Sequence, residues 1–189
     1  MGRILGIYSS LIAHGIDYAP DAIKQALEKT VSKRKRLTFV IANLDSLAGE
    51  SHSHDTILSV DTLYMPRDLH NTLKLASDLL MPEGQILAFY SHFLSESETR
   101  DSLMEEQTPL AKALRDGGFK FRVIDFSCQT FELMQRKRVL AEKMRARFSA
   151  EGLLFLCDHL VAESVDPELS HDPKAMGQRR CLYHSRKIV

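Results

Sequence analysis

The sequence predicts an α/β fold built on a largely parallel sheet. Three observations predict it. Short apolar strand-like runs alternate with helix-like segments, polar or acidic residues fall just past successive strand-like runs, and no internal repeat or low-complexity tract breaks the alternation. At 189 residues the chain is long enough for a real core, and no composition shift divides it. The expectation is a single domain over residues 1–189.

Residues 11–16 read as a short buried strand. The turn Asp17-Tyr18-Ala19-Pro20 follows, then a helix from about Asp21 with Ala22, Ile23, Ala26 and Leu27 on one face. A basic run, residues 33–36, leads into a strand at 37–41, and residues 48–53 form a small polar loop before a strand at 56–60. The next helix begins near Pro66, which suits a first-turn position, and Leu69, Leu73, Ala76 and Leu80 give it one apolar stripe. Met81-Pro82-Glu83-Gly84 stops it and releases the chain into a central strand at 85–90. Then come a helix at 105–115 closed by Gly117-Gly118, a strand at 119–126, a long helix at 129–148 and a second helical piece at 151–161. These last two make a helical insertion at about 129–163, which a polar loop at 164–177 joins to a closing strand at 179–188.

Composition excludes several classes of function. Lys plus Arg and Asp plus Glu both number 25, so the chain lacks the basic excess that nucleic acid or an anionic membrane rewards. The six basic residues between 136 and 147 face only Glu142, yet they read best as the wet side of an amphipathic helix. Cys128, Cys157 and Cys181 are odd in number and widely spaced, which fits buried free thiols in a reducing cytosol better than disulfides or a metal site. With no signal peptide or membrane span visible, the expected location is cytoplasmic. His52-x-His54-Asp55 supplies too few converging ligands for zinc, so no metal is expected.

The chemistry lies at the strand ends, where open α/β sheets place their ligands. Gly15-Ile16-Asp17 ends one strand with a carboxylate, about twenty residues before the next strand. Such a group can accept from both hydroxyls of a ribose, or can cap the following helix, and the residues alone leave both readings open. Ala42-Asn43-Leu44-Asp45 follows the next strand, and Asp55 and Asp61 bracket the one after it.

In that order the pieces resemble the class I S-adenosylmethionine-dependent methyltransferase family. The resemblance rests on Gly15-Ile16-Asp17, Asn43, His54-Asp55-Thr56-Ile57 and Pro82-Glu83-Gly84, then Ala113-Leu114 to Gly118-Phe119 and the final Arg180-Cys181-Leu182-Tyr183-His184 strand. It implies a Rossmann-like methyltransferase fold with a C-terminal antiparallel hairpin, and S-adenosylmethionine as cofactor. It further implies that Asp17 binds the ribose and Tyr18 flanks the adenine. Asn43 stands where the family usually has an Asp that accepts from the adenine amino group, and an amide oxygen can do the same. The Leu44 backbone would face the adenine ring, and Ser59 would lie beneath the sulfonium. Gly2 matches the last glycine of the family's glycine-rich loop. The chain is accordingly expected to start late, with the family's first strand and most of that loop missing.

Asp61, Tyr64, Tyr90 and His92 are placed by the resemblance beside the transferred methyl group. Each could orient an acceptor or take its proton, with Asp61, Tyr64 and His92 the catalytic candidates, although structural roles suit the tyrosines as well. The expected reaction is methyl transfer to a small-molecule acceptor. Nucleic acid is not favoured, because no Asn-Pro-Pro-Tyr segment follows the fourth family strand. No membrane partner is expected, and a homodimer is compatible with the sequence. Two alternatives stand beside this: a catalytically silent methyltransferase-like binding subunit, and a nucleotide-sugar or dinucleotide-binding protein that also uses Asp17.

Overall fold

The computed structural model describes residues 10–165 and 177–188. Gly2 and most of the 164–177 loop lie outside them. Among the described residues six strands and six α-helices follow one another, starting with β1 (Ala13–Asp17), α1 (Pro20–Lys29) and β2 (Leu37–Ile41). Pro20 opens α1 where its missing N–H costs nothing. Asp21 in the first turn and Lys29 in the last complement the helix dipole. β1 and β2 pair in parallel from Ala13–Leu37 to Asp17–Ile41, which sets their C-terminal ends side by side.

The second part comprises β3 (His54–Val60), α2 (Leu69–Leu79), β4 (Leu80–Phe93), α3 (Pro109–Asp116), β5 (Phe119–Asp125), α4 (Ser127–Lys143), α5 (Arg145–Ala150), α6 (Leu154–Ala162) and β6 (Gln178–Lys187). Its sheet has the order β3-β4-β6-β5, with β3 parallel to β4 and β6 antiparallel to both its neighbours. The core sits on one face of this sheet. Leu73 and Ala76 of α2 and Leu110, Ala111 and Leu114 of α3 close over Ile86, Ala88 and Tyr90 of β4 and Tyr183 of β6. Each large apolar side chain buried there contributes about 1.5–3 kcal/mol.

The fold class and the antiparallel C-terminal hairpin are as the sequence predicts, but several details differ. The first strand is not buried: Leu11, Ile12 and Ile16 are exposed, as are Val40 and Ile41 of β2, and these two strands pair only with each other among the described residues. No described strand joins the open edge of β1 to that of β3, and the His14 and His54 rings meet edge-on across the divide at 5.6 Å. Leu80 leaves the helical stripe and starts β4, which runs straight through Met81-Pro82-Glu83-Gly84 with Glu83 at φ 61° and a register shift opposite His54 and Thr56. α3 starts at Pro109, later than residue 105, because the Thr108 side chain caps it by accepting from the Ala111 N–H at 3.2 Å. The long helix breaks at Met144, and Gly152 at φ 71° ends α5 before α6. Cys157 and Cys181 are buried as expected, whereas Cys128 at the start of α4 is exposed.

Candidate functional site

Parallel pairing sets the C-terminal ends of β1 and β2 side by side, and likewise those of β3 and β4, with the N-terminal end of antiparallel β6 beside β4. Asp17 ends β1 with its side chain exposed, and its Oδ1 accepts from the Ala19 N–H at 2.8 Å. The backbone carbonyl of Asp17 accepts from Ala42 N–H at 3.0 Å, so Asn43 lies one residue beyond the contact. Asn43 Oδ1 caps a short 3₁₀ turn (Leu44–Ser46) by accepting from Asp45 N–H at 3.0 Å. That turn is anchored twice more. Asp45 Oδ1 accepts from Arg67 N–H at 2.8 Å, and the Leu44 carbonyl accepts from the Thr72 hydroxyl at 3.3 Å. Asp17 and Asn43 thus both stand at the C-terminal ends of this strand pair, Asn43 two residues past the partner of Asp17. Tyr18 is 71% exposed and Gly2 lies outside the described residues.

A second group gathers where β3 and β4 end. Ser59 is buried and its hydroxyl hydrogen-bonds that of Thr62 at 2.7 Å. Asp61 adopts a left-handed backbone at φ 52°, a conformation a non-glycine residue keeps only when its surroundings hold it there. They do hold it: Arg180 of β6 ion-pairs with Asp61 Oδ2, and the Ser91 hydroxyl donates to Oδ1 at 3.4 Å. Ser91 and Arg180 are cross-strand partners, which explains why both reach one carboxylate.

Tyr90 and His92 occupy the opposite face of β4, two residues apart. The Tyr90 ring lies 6.5 Å from that of Tyr64, which is half exposed. His92 is buried, and its Nε2 stands 3.2 Å from Glu98 Oε1, within ion-pair reach but not aligned for a hydrogen bond. The other Glu98 oxygen accepts from both the N–H (3.0 Å) and the hydroxyl (2.8 Å) of Ser95. Those Ser95 bonds, together with the His92 ring, hold the Glu98 carboxyl below its usual range. Burial, with the Glu98 charge, pushes the Tyr90 phenol up to about 12, so it stays protonated at neutral pH.

The sequence-predicted residues thus fall in three groups: Asp17, Asn43 and Leu44 at the ends of β1 and β2, Ser59 and Asp61 at the end of β3, and Tyr64, Tyr90 and His92 on the opposite face of β4 from Ser91. It missed Ser91, Glu98 and Arg180. Arg180 had no local signal, since its contact spans 119 positions. Glu98, six residues beyond His92 in a polar loop, could have been picked out as a carboxylate near a strand-end histidine. His52 and His54 are occupied locally, by the Leu80 carbonyl at 3.0 Å and the Ser53 hydroxyl at 2.7 Å. Among the described residues no three metal-ligating side chains converge, and no helix is long and apolar enough to cross a membrane.

Comparison with known proteins bears on the fold. Residues 2–88 match the family model for a methyltransferase domain. No curated protein sequence matches the chain. Among solved structures, the [4+2]-cyclase SpnF superposes with a TM-score of 0.75 at 17% identity, covering 99% of this chain and 70% of its own. Haemonchus contortus phosphoethanolamine N-methyltransferase 2, solved with S-adenosyl-L-methionine, gives 0.71 at 16%, covering 98% and 45%. The geranyl diphosphate C-methyltransferase of Streptomyces coelicolor A3(2), solved with S-adenosyl-L-homocysteine, gives 0.67 at 10%, covering 100% and 69%. The resemblance to class I S-adenosylmethionine-dependent methyltransferases drawn from the motif order is borne out.

Proposed function

We propose that this chain, which carries the class I methyltransferase fold, transfers a methyl group from S-adenosylmethionine to a small-molecule acceptor. The observation that carries the proposal is the placement of Asp17 and Asn43 side by side at the ends of β1 and β2, within the 2–88 stretch that matches a methyltransferase domain. The residues fit an adenosine. Asp17 offers an exposed carboxylate to a vicinal diol, and Asn43 offers an amide beside it. Ser59 and Asp61 then mark the floor toward the reacting end, and Tyr64, Tyr90 and His92 line the acceptor side. When bound, the cofactor supplies an electrophilic methyl group on a sulfonium. The residues here contribute proximity and alignment, which suffice for much of such a reaction.

The fold by itself does not decide the chemistry, as a [4+2]-cyclase with the same outline makes plain. Isothermal titration with S-adenosylhomocysteine tests the reading. The chain is expected to bind it, and Asp17→Ala to bind at least about tenfold more weakly, the worth of a charged hydrogen bond. A folded chain that shows no binding overturns the proposal and leaves a catalytically silent binding protein.

A further inference from the structure

The chain is neutral as a whole, but its charge is not evenly spread. From Lys29 to Leu44 there is no acidic residue, and the basic ones are Lys29 and the run Lys33-Arg34-Lys35-Arg36. That run is folded into one tight turn. The Arg36 N–H donates to the Lys33 carbonyl at 2.9 Å, so these two residues are the ends of a β-turn and Arg34 and Lys35 are its tip. Arg34 and Lys35 are exposed, whereas Lys33 and Arg36 are half-buried. Together with Val31 and Ser32, the four cations line a surface cavity of about 490 Å³. The turn is also pinned to the start of β1. The Arg36 carbonyl accepts from the Ala13 N–H at 2.8 Å, and Arg36 Nη1 donates to the Leu11 carbonyl at 3.4 Å.

We infer that this turn is a binding site for a short chain of linked phosphates, held by Lys33, Arg34, Lys35 and Arg36. The inference goes beyond the methyltransferase reading and does not depend on it. A helix end accounts for only part of the charge. α1 closes on Lys29, and a helix C-terminus amounts to about −0.5 charge, which Lys29 alone offsets. The other four cations repel one another across a single turn, and an anion seated among them relieves that repulsion. One phosphate carries about −1.5 to −2 at neutral pH and meets half of this charge at most, so two or three linked phosphates are needed to meet it all. The arginine forks suit phosphate oxygens, and the lysines add point charges beside them. No aromatic residue lies between Tyr18 and Phe39, so the turn offers no platform on which a base could stack. That favours a phosphate chain without bases over single-stranded nucleic acid. The site is also separate from the Asp17–Asn43 end. The turn precedes β2, at the N-terminal end of a strand pair whose five-residue β1 spans roughly 16 Å.

Inorganic tripolyphosphate is titrated into the full chain by calorimetry, with inorganic monophosphate as the comparison. Saturable binding is expected, at least about tenfold tighter than monophosphate and weaker as salt is raised. The double variant Arg34→Gln/Lys35→Gln should lose at least about tenfold in affinity, the worth of a charged hydrogen bond. Arg136→Gln/Lys143→Gln removes the same charge from α4 and should leave affinity unchanged. The parent chain gives a readout that needs no variant: tripolyphosphate should slow acetylation of Lys35 while leaving that of Lys112 on α3 unaltered. No saturable binding, monophosphate binding as tightly, an equal loss in the α4 variant, or no protection of Lys35 each overturns the inference. A polypyrimidine oligonucleotide of matched charge that binds more tightly than tripolyphosphate also overturns it, and assigns the turn to a nucleic-acid backbone instead.

Discussion

Tyr183 shows how much one buried polar group can tie together. Its hydroxyl donates to the Glu105 carbonyl at 2.8 Å and shares a bond with the Thr108 hydroxyl at 2.7 Å, while Thr108 also caps α3. Tyr183→Phe leaves both partners short and is expected to cost about 1–3 kcal/mol in urea unfolding. Thr108→Val should cost a similar amount, and the double variant less than the sum, because the two share one bond. A loss below about 0.5 kcal/mol for either single variant contradicts this account. The thiols separate by the same logic. Burial pushes the Cys181 thiol up to about 12 and Cys157 is fully enclosed, so a thiol reagent should label Cys128 alone in the folded chain. Rapid labelling of a second cysteine without unfolding would be inconsistent with the packing. Burial raises the Asp125 carboxyl, but its Ser127 bonds and the Arg179 guanidinium outweigh that, leaving it below the ordinary carboxylate range. A lowered folded value means that the stabilisation is present above the unfolded pKa of about 3.9 and is lost as pH falls through the folded value. Acid unfolding curves of Asp125→Asn should therefore be flatter below about pH 4 than those of the parent chain.

Among the elements, β4 depends most on a single backbone position. Its first residues turn through Glu83 at φ 61°, and a Cβ on Gly84 would lie 2.8 Å from the Met81 carbonyl and 3.0 Å from the Leu80 side chain. Backbone cannot step aside as a side-chain tip can, so Gly84→Ala is expected to destabilise by about 1–3 kcal/mol. Chemical denaturation gives the test, and a neutral effect would show that the bend has slack. The same constraint explains a difference in reading. Pro-Glu-Gly is good turn chemistry, and from the sequence it looks like a loop between a helix and a strand. In the structure the extended chain carries on through the bend, since β3 on one side supplies pairing for both its ends.

For the molecule as a whole, the division of the strands into two sheets has a dynamic consequence. β4 is paired on both edges and roofed by α2 and α3, while β1 and β2 pair only with each other among the described residues and leave Ile16, Val40 and Ile41 in solvent. Local opening free energy follows buried contact and pairing. Amide exchange should accordingly be slowest in β4 and β6 and markedly faster in β1 and β2, in the chain without ligand. S-adenosylhomocysteine should slow the latter, because Asp17 and Asn43 sit at the ends of those two strands. Equal protection in both sheets would mean that they open as one unit.

Sequence by itself determined the alternation of strands and helices, the parallel start and antiparallel finish, and the strand-end positions of Asp17, Asn43, Ser59, Asp61 and His92, because periodicity and turn residues act over a few neighbours. It did not show that the first strand lies exposed, that the helix after β5 breaks at Met144, or which candidate side chains are held and by what. Those outcomes depend on partners far along the chain. Arg180 grips Asp61 only because β6 inserts beside β4, and Glu98 meets His92 only because the loop after β4 folds back over it. Local pattern places a residue at a strand end, whereas the charge facing it there is set by pairing across the sheet.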